Sequence, residues 1–520
     1  MEFLGESLIR NAEEFPDRIA VIQEKSSLTY KELNRESSRL ANALKKTGVK
    51  RGDRVALLMK GGREWLLSLY ACQKLGVGVV LVHLRLLPQE ILRMIELADA
   101  GTLIYSEEYS DKAAYIASHS DAAQRRIRLG DPAKATAAGE YPFEELLRSG
   151  DTAEAQIPLD GSEDSVLLFT SGTTSAAKGM VRTQKMMRVY SSLLADAASR
   201  RRCDIMLTPS PLFHAAGLCC VVKTLVNAGT LILLDRFDCE KICRQIQRYK
   251  VTQIALVPPT SYQRLRNSGY PDQFDLSSVR LAHVAAGKAS RECFEDLFAM
   301  FPKAAVRLSW GSTEASNITC AVFGQETLLN NPQRLMSVGR VNPVSELKLI
   351  AEDGSVVEGA GKGEAYVRSP LVFDGYLKAP ELTERSFSDG WFKTEDILCR
   401  DAEGYCYLLD RKRDIIKTGG ENVYAQEVEQ DILANPAISE CAVVGIPDRQ
   451  FGEAVAAAVV FKKDCSLTAD EFIGFCRRVM PSFKKPKYWA VMDALPKNDV
   501  GKVQKIKLKS QAGKLFTAIS

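Results

Sequence analysis

The apolar residues in the first third of the chain alternate between short continuous runs and helically spaced positions. Residues 54–59, 76–82 and 102–105 are short apolar runs, whereas residues 64–75 and 90–98 carry apolar positions at helical spacing. Short apolar runs that alternate with amphipathic helical segments are typical of strand–helix–strand units, in which helices cover a parallel sheet. The pattern therefore predicts an α/β fold whose sheets are mostly parallel and covered by helices.

The alternation returns further along the chain and then changes character. A strand at 230–234, a helix at 239–249 and a strand at 253–257 are predicted in succession. From about residue 340 the apolar segments become shorter and β-like, as at 347–350, and Gly and Asp turns separate them. We therefore expect a small β-barrel-like part after the parallel sheets.

The last segment of the chain shows a third pattern. A helix is predicted at 427–433, and strands are predicted at 440–444 and 454–461. This succession is enough for a small α+β domain. We predict two domains, residues 1–410 and residues 411–520.

Length and composition narrow the class of protein. The chain has 520 residues, of which 46% are apolar and 26% are charged, so disordered and collagen-like classes are excluded. A length this far above the ~100–200 residues of a usual domain also favours more than one domain. The 69 Lys and Arg against 65 Asp and Glu give a net charge of +4, which argues against a general nucleic-acid binder.

One local charge imbalance stands out near the end of the chain. Between Lys484 and Lys514 there are nine lysines, against only Asp493 and Asp499. Such a run is either a solvated face or a surface that meets a polyanion such as a nucleotide or a coenzyme phosphate.

The cysteines and the apolar stretches indicate a cytoplasmic protein. The 13 cysteines are scattered without a Cys-x-x-Cys pair, the start of the chain is acidic, and the apolar run 76–82 is far shorter than the ~20 residues that span a bilayer. We expect reduced thiols, no signal peptide and no membrane span. Four scattered histidines provide few potential ligands for a zinc site. We interpret Cys239 and Cys243 as core residues rather than metal ligands.

The most informative segment is a hydroxyl-rich loop directly after an apolar run. Its residues are Thr170, Ser171, Gly172, Thr173, Thr174, Ser175, Ala176, Ala177, Lys178 and Gly179. Small residues let backbone N–H groups approach an anion, hydroxyls add donors, and a lysine adds positive charge. The loop lacks the Walker A spacing, yet it suits a polyphosphate better than it suits a plain Ser/Thr-rich surface turn.

This loop resembles the phosphate-binding signature of the AMP-forming adenylating superfamily, whose usual form is Thr-Ser-Gly-Thr-Thr-Gly-x-Pro-Lys-Gly. Ser175 replaces the second Gly of that form and Ala177 replaces the Pro. The superfamily comprises acyl- and aryl-CoA ligases, adenylation domains of peptide synthetases and firefly luciferase, and the chain is most similar to the acyl-CoA synthetases. The resemblance implies a large N-terminal domain, a small mobile C-terminal domain, and ATP, Mg²⁺ and coenzyme A as ligands.

Two further motifs extend the resemblance. Residues 310–314 are similar to the family's Tyr-Gly-x-Thr-Glu, which implies that Glu314 holds Mg²⁺, that Thr313 bonds the α-phosphate, and that Trp310 and Gly311 lie beside the adenine. Residues 391–396 resemble Gly-Trp-x-x-Thr-Gly-Asp, which implies that Asp396 accepts hydrogen bonds from the ribose hydroxyls. Glu395 replaces the family's Gly there.

The end of the chain carries the family's hinge and its catalytic lysine. The resemblance implies that Arg411 contacts the ribose or a phosphate, that Arg413 is the hinge, and that Gly419 and Gly420 line the pantetheine passage. It also implies that Lys502, which follows Gly501 in a Pro-x-x-x-x-Gly-Lys pattern, is the catalytic lysine. The matches keep the family's order from about residue 28 to residue 508.

The acyl pocket is predicted from three segments. Pro211 to Gly217 resembles the family's Pro-Leu-Phe-His motif, in which the histidine, here His214, gates the carboxylate site; a core histidine is the alternative. The other predicted lining residues are Ala216, Gly217, Cys220, Ala286, Gly287, Ser309 and Trp310. The resemblance also assigns Gly287 to the nucleotide. Because these segments carry no charge, we expect an apolar aryl or medium-length acyl substrate.

The implied reaction has two steps. A carboxylate attacks the α-phosphate of ATP, and a thiol then displaces AMP to form a thioester; coenzyme A is the expected thiol. Two alternatives stay open: an enzyme that loads a carrier protein, and a non-catalytic nucleotide binder, which the departures at Ser175, Ala177 and Glu395 would favour. The chain could also form a homodimer.

Overall fold

The computed structural model describes residues 2–24, 26–134, 139–170, 178–194, 204–285, 289–419, 421–498 and 501–519. The strands are β1 (Ile19–Gln23), β2 (Ser26–Thr29), β3 (Arg54–Leu58), β4 (Gly78–Leu81), β5 (Thr102–Ser106), β6 (Arg125–Leu129), β7 (Glu140–Pro142), β8 (Asp164–Thr170), β9 (Lys178–Thr183), β10 (Ile205–Thr208), β11 (Thr230–Leu233), β12 (Gln253–Ala255), β13 (Leu281–Val284), β14 (Ala305–Ser312), β15 (Ser316–Phe323), β16 (Arg340–Val341), β17 (Glu346–Ile350), β18 (Gly361–Arg368), β19 (Phe387–Ser388), β20 (Trp391–Arg400), β21 (Cys406–Arg411), β22 (Ile416–Thr418), β23 (Glu421–Val423), β24 (Ile438–Asp448), β25 (Gly452–Phe461), β26 (Tyr488–Val491) and β27 (Thr517–Ala518).

The helices alternate with these strands over much of the chain. They are α1 (Leu4–Glu14), α2 (Tyr30–Lys46), α3 (Arg63–Leu75), α4 (Pro88–Leu97), α5 (Ser110–His119), α6 (Phe143–Ser149), α7 (Gln184–Leu194), α8 (Ala215–Val226), α9 (Cys239–Tyr249), α10 (Thr260–Asn267), α11 (Arg291–Met300), α12 (Gln325–Asn330), α13 (Pro380–Ser386), α14 (Ala425–Leu433), α15 (Ala469–Val479), α16 (Lys505–Ser510) and α17 (Ala512–Leu515). None of the helices in the described ranges is both long enough and apolar enough to cross a membrane.

The first sheet contains the strands predicted in the first third of the chain. Its seven strands follow the order β7-β6-β5-β3-β4-β8-β9, and every neighbouring pair is parallel except β8–β9. The predicted strands and helices at 54–105 correspond to β3, α3, β4, α4 and β5. The strand interiors are apolar; Val55, Leu57 and Val79 are completely or almost completely buried. The predicted α/β class is confirmed.

A nine-stranded sheet carries several of the predicted site residues on β14. Its order is β16-β15-β14-β13-β12-β10-β11-β1-β2, with parallel pairs from β14 to β1 and antiparallel pairs at both ends. The predicted elements at 230–257 correspond to β11, α9 and β12. Cys243 on α9 lies in the hydrophobic core, as expected, and burial raises its pKa to about 12.

Two smaller sheets complete the fold. A five-stranded antiparallel sheet, β17-β18-β20-β19 with β21 on β20, corresponds to the predicted β-barrel-like part. The six-stranded sheet β23-β22-β25-β26-β27, with β24 on β25, takes its strands from residues 416–518 and packs against α14 and α15. The three other sheets take theirs from residues 19–411. The division at residues 410 and 411 stays a prediction, although it falls between these two groups of strands.

Candidate active site

The centre of the candidate nucleotide site is a buried carboxylate, Asp396, on β20. Its Oδ2 accepts a hydrogen bond from the indole Nε1 of Trp310 at 2.8 Å, and its Oδ1 lies 3.2 Å from Nε of Arg411. Asp396 and Arg411 are cross-strand partners of β20 and β21, whereas Trp310 comes from β14 in the nine-stranded sheet. Asp396 is only 4% exposed. Three residues predicted to bind the nucleotide therefore meet at one point.

The backbone beside Asp396 explains one departure from the family motif. Glu395 has φ of 60°, in the left-handed region that costs a residue with a Cβ free energy and that glycine adopts freely. The family's Gly at this position thus has a conformational role, which Glu395 performs under strain. The N–H of Asp396 donates to Thr394 Oγ1 at 3.1 Å, and the Thr394 hydroxyl donates to the carbonyl of Ala365 at 2.8 Å.

Lys502 lies on a short hairpin that approaches the large sheets. Lys497 and Val503 form an antiparallel bridge, and the N–H of Lys502 donates to Asn498 Oδ1 at 2.8 Å. Gly501 has φ of 77°, and a Cβ at this position would lie 2.9 Å from Cγ of Pro258. A side chain at residue 501 would therefore push the hairpin away from Pro258.

The charges at this junction perturb one another. Burial raises the pKa of Asp396, while Arg411, the Trp310 indole and Lys502 oppose that rise. Lys502 is an exposed residue, but protein atoms partly exclude water from its ammonium, and this desolvation together with Arg411 lowers its pKa to about 8. Arg413 lowers both pKa values further. The predicted catalytic lysine and the predicted ribose carboxylate are thus within electrostatic reach of each other.

Thr313 and Glu314 lie in the connection between β14 and β15. Tyr376 donates from its hydroxyl to Glu314 Oε1 at 3.1 Å, and Lys178 Nζ lies 5.3 Å from the centroid of the Tyr376 ring. Arg182 on β9 donates from Nη2 to the carbonyl of Thr313 at 3.1 Å. The connection is therefore fixed from β9 and from the segment after β18.

Tyr376 and Arg182 were not predicted from the sequence. Burial and the neighbouring Glu314 raise the pKa of Tyr376, so its hydroxyl stays a donor at neutral pH. Arg182 is 3% exposed and its guanidinium lies over the Tyr190 ring at 5.4 Å. Neither residue belongs to a recognisable motif; an arginine within the apolar pattern of a buried strand was the one available signal for Arg182.

The predicted acyl segment begins at the N-terminus of α8. His214 is the N-cap residue, and its ring lies 5.3 Å from the ring of His83 and 4.5 Å from that of Phe213, centroid to centroid. Gly217 is required by packing, because a Cβ there would lie 2.3 Å from the carbonyl oxygen of Pro211.

One face of α8 carries the predicted lining residues. Ala216 and Cys220 are separated by one helical turn, and Lys223 follows on the same face at i+7 and i+3. Lys223 is 4% exposed, and its ammonium contacts the ring of His283 on β13. The segments chosen from the sequence contained no charge, so Lys223 and His283 add a polar element that sequence reasoning missed.

Several predicted positions lie outside the described residues. These are Ser171, Gly172, Thr173, Thr174, Ala286, Gly287 and Gly420. Thr170 ends β8 opposite Lys178. Gly419 has φ of 58° and donates its N–H to the carbonyl of Phe451 at 2.9 Å, and Arg413 lies in the turn between β21 and β22. Gly311 and Ser309 lie on β14 with Trp310.

Comparisons with known proteins identify the family of this chain. The sequence profile of the AMP-binding enzyme family matches residues 8–377, and the profile of the AMP-binding enzyme C-terminal domain matches residues 427–502. The chain is 32% identical over 504 residues to a 2-succinylbenzoate–CoA ligase of Bacillus licheniformis, an alignment that covers 96% of this chain and 98% of the relative. It is 32% identical over 519 residues to a feruloyl-CoA synthase of an Amycolatopsis species, with 98% and 99% covered.

A solved structure gives the same result. The o-succinylbenzoate CoA synthetase of Bacillus subtilis, in complex with its acyl-adenylate intermediate, matches over 100% of both chains with a TM-score of 0.84 and 28% identity.

The fold and the site define an adenylate-forming ligase. The chain belongs to the AMP-binding enzyme family, as the resemblance of its motifs predicted. It is an AMP-forming acyl- or aryl-CoA synthetase, which uses ATP to convert a carboxylic acid to an acyl adenylate and then transfers the acyl group to coenzyme A.

Proposed function

We propose that the junction of Trp310, Asp396, Arg411 and Lys502 is where this chain forms the acyl adenylate. The observation that carries the proposal is the state of Asp396: its carboxylate is buried, and its Oδ1 forms an ion pair with Nε of Arg411 at 3.2 Å but accepts no well-aligned hydrogen bond from the part of the chain that the structure describes. A carboxylate oxygen can accept more than one bond, and a ribose hydroxyl would supply the well-aligned bond that this buried oxygen lacks. The site therefore fits a nucleoside.

The first half-reaction brings two anions together, so it depends on positioning and charge neutralisation. Lys178 at the start of β9 and Lys502 on its hairpin supply positive charge on either side of the phosphates, and Thr313 donates its hydroxyl to the α-phosphate. An ionised carboxylate is already a nucleophile and needs no general base. The carboxylate oxygen bonds the α-phosphorus, and pyrophosphate leaves with the electrons of the broken bond.

Glu314 is the residue that we assign to Mg²⁺. Mg²⁺ in proteins is commonly held by one or two carboxylates together with substrate phosphates and water. A single carboxylate fits this pattern, and it agrees with the absence, among the described residues, of any cluster of three or more ligating side chains. The ion would neutralise phosphate charge, while Tyr376 holds Glu314 in place through its hydroxyl.

The second half-reaction requires a different arrangement of residues 411–520. We assign Arg413 as the hinge of a rotation that withdraws Lys502 and brings Gly419 and Gly420 to the reacting carbon. The thiol of coenzyme A would then attack the acyl carbon and release AMP. The lysine-rich segment from Lys484 to Lys514 supports free coenzyme A over a carrier protein, because a coenzyme phosphate needs cations nearby.

We assign the substrate as a mainly apolar aryl or medium-length carboxylic acid that enters past His214. The acyl groups in the names of the two relatives, succinylbenzoyl and feruloyl, are aryl groups, which supports this class. The half-buried Ala216 on α8 carries only a methyl group, which suits a site for a flat ring. A cytoplasmic location and a homodimer complete the proposal, and light scattering tests the latter.

The experiment is a measurement of pyrophosphate release from ATP and Mg²⁺ with a panel of aryl and aliphatic acids, followed by coenzyme A and detection of the thioester. We expect release that depends on the acid, then thioester at a comparable yield. Pyrophosphate release that does not depend on the acid would contradict the proposed reaction. Binding of ATP without pyrophosphate release would favour a non-catalytic nucleotide binder. Adenylate that accumulates in the presence of coenzyme A would favour a carrier protein.

A further inference from the structure

Arg182 on β9 is a buried cation with few hydrogen bonds. It is 3% exposed, and its Nη2 donates to the carbonyl oxygen of Thr313 at 3.1 Å. Its other two nitrogens, Nε and Nη1, donate to no acceptor among the residues that the structure describes. A guanidinium stays charged at neutral pH, and a buried charge with few hydrogen bonds costs free energy. An apolar side chain of similar volume would cost the fold less, so stability alone does not explain this arginine.

The hydrogen bond from Arg182 is made to a particular peptide group. The carbonyl of Thr313 belongs to the peptide group that joins Thr313 to Glu314, and a peptide group is planar. A donor on this oxygen therefore fixes a plane that contains the Cα atoms of both residues. Thr313 is the residue assigned to the α-phosphate, and Glu314 is the residue assigned to Mg²⁺. The orientation of both side chains thus depends in part on Arg182.

Other donors fix the neighbouring atoms of the same connection between β14 and β15. The N–H of Phe373 donates to the carbonyl oxygen of Glu314 at 2.8 Å, and the Tyr376 hydroxyl donates to Glu314 Oε1 at 3.1 Å. Phe373 thus fixes the peptide group after Glu314, and Tyr376 fixes its carboxylate. Loss of Arg182 would leave the peptide group before Glu314 without its side-chain donor, so that this group could tilt.

Strand β9 links this support to the predicted phosphate-binding lysine. Lys178 begins β9 and Arg182 lies four residues further along, so the two side chains share a face of the strand. Lys178 Nζ lies 5.3 Å from the centroid of the Tyr376 ring, beside the donor that holds the Glu314 carboxylate. One strand therefore sets the position of Lys178 relative to Glu314.

We propose that Arg182 is a positioning residue for adenylate formation. By holding the peptide group between Thr313 and Glu314, it orients the Thr313 hydroxyl toward the α-phosphate and the Glu314 carboxylate toward Mg²⁺. This proposal rests on the proposed function and adds to it a residue that acts through its neighbours rather than on the substrate.

The first test measures the two half-reactions separately in Arg182→Met, which replaces the guanidinium by an apolar side chain without a donor. Pyrophosphate release with an acid that the panel identifies as a substrate should slow by about 10- to 100-fold, the scale of one hydrogen bond from a charged donor. The KM for the acid should not change. Thioester formation from a pre-made acyl adenylate should stay near the wild-type rate, because the attack on the α-phosphate is then complete.

The second test measures the binding of ATP by calorimetry in the absence of an acid, once with Mg²⁺ and once with EDTA. In the wild type, the Kd for ATP should be lower with Mg²⁺ than with EDTA. In Arg182→Met, the Kd with EDTA should match the wild type, because Trp310 and Asp396 are unchanged. The decrease in Kd that Mg²⁺ causes should be several-fold smaller, because Glu314 is no longer held in position.

Two further variants sharpen both tests. Arg182→Lys keeps a positive charge and a long side chain with a donor, so it should recover most of both losses. Arg188→Met is the control on the neighbouring helix α7. Arg188 is half-buried and its guanidinium lies 4.9 Å from the centroid of the Phe3 ring, and its replacement should leave both measurements at the wild-type values.

The possible results separate a positioning role from a structural one. Equal slowing of both half-reactions in Arg182→Met would make Arg182 a structural residue and overturn the proposal. A higher KM for the acid would place Arg182 at the substrate, and an undiminished effect of Mg²⁺ on the Kd for ATP would show that Glu314 does not depend on it; either result also overturns the proposal.

The proposed function and the role of Arg182 can fail independently. If no acid gives pyrophosphate release with the wild type, the proposed function is overturned, and the ATP titration still decides on Arg182. If Arg182→Met does not fold, Arg182→Gln repeats both tests with a neutral polar side chain that is two bonds shorter, and the same losses are expected.

Discussion

The nucleotide end and the acyl end of the candidate site are built in different ways. At the nucleotide end, Trp310, Asp396 and Lys502 come from three different sheets or loops, and each belongs to a short sequence motif. At the acyl end, Lys223 and His283 lie in the interior of a helix and a strand, and neither belongs to a motif. We expect the first end to bind the ligand that is common to the whole family, and the second end to distinguish one acid from another.

This difference separates two kinds of experimental effect. A change at the nucleotide end alters the free energy of a step that all acids share, so it should scale the rates for every acid alike. A change at the acyl end alters the contact with one substituent, so it should change the ratio between acids. The variants below act at the nucleotide end, and each should leave the ratio between acids untouched.

The largest effect is expected from Lys502→Ala. Loss of one preorganised positive group should slow adenylate formation by ~10²–10³ for every acid. Thioester formation from a pre-made acyl adenylate should be nearly unaffected, because the lysine has by then moved away. The exposed Lys463, which lies outside the lysine-rich segment, is the matched control; Lys463→Ala should leave both steps intact. Equal damage to both half-reactions would contradict the role of Lys502.

Arg413→Pro tests whether residues 411–520 move between the two half-reactions. Proline fixes φ near −65° and removes an N–H, so the turn between β21 and β22 should lose its freedom to change arrangement. We expect pyrophosphate release to survive while thioester production falls by about 10²-fold. Arg413→Ala removes the side chain but not the backbone freedom, and it should retain both steps. If both steps declined equally at an unchanged melting temperature, Arg413 would not be the hinge and would be an ordinary surface arginine.

The rate of adenylate formation should change about tenfold with pH. Because the pKa of Lys502 is lowered to about 8, the ammonium is mostly charged at pH 7 and mostly neutral at pH 9. The rate of the first half-reaction should therefore fall about tenfold as the pH rises between these values. Lys502→Arg keeps its charge over this interval, so whatever activity it has should not show the fall. A wild-type profile that is flat from pH 7 to 9 would contradict the assignment.

Trp310→Phe should have a smaller effect. The ring remains beside the nucleotide, but the indole N–H that donates to Asp396 is lost, at a cost of about 1 kcal/mol. We expect the KM for ATP to rise about fivefold with every acid. Trp489→Phe, at a tryptophan that packs on Phe472 in the small sheet, is the control and should leave that KM unchanged. A change in the ratio between acids would mean that Trp310 belongs to the acyl end as well.

Glu395→Gly should have the smallest effect. It relieves a left-handed backbone, so the free energy of unfolding should rise by up to ~1 kcal/mol, and removal of a negative charge near the ribose should lower the KM for ATP slightly. Asp389 is likewise exposed, with φ of 49°, but lies in a turn outside the site; Asp389→Gly should raise stability without changing that KM. A KM for ATP that is unchanged or higher in Glu395→Gly would contradict the expected electrostatic effect of Glu395 on ATP binding.

The same contrast explains what the sequence could predict. The α/β class, the elements between residues 54 and 105 and the family were predictable, because apolar periodicity and short motifs are local signals. The meeting of Trp310 with Asp396 was predictable only through the resemblance, since the two residues are 86 positions apart. The roles of the individual site residues stay predictions.

The contact between Lys223 and His283 was not predicted from the sequence. Lys223 is the one charged residue of α8, whose other residues are apolar or small apart from Thr224. A helix that is apolar almost all round is usually buried, so this lysine was a weak local signal. Its 4% exposure and its contact with the ring of His283 on β13 show that it points inward, and that contact between distant segments is not recorded in the neighbouring residues.

The close approach of Gly501 to the ring of Pro258 has a consequence for the direction of the proposed catalytic cycle. This approach involves a glycine and an apolar proline ring, so we expect it to be made and lost at little cost in free energy. The balance between the two proposed arrangements would then depend on what occupies the cleft. In the proposed mechanism the phosphates of ATP attract Lys502 and favour the closed hairpin, and departure of pyrophosphate removes that attraction. We therefore expect the small domain to be released once the acyl adenylate has formed, which is when the second half-reaction requires its movement.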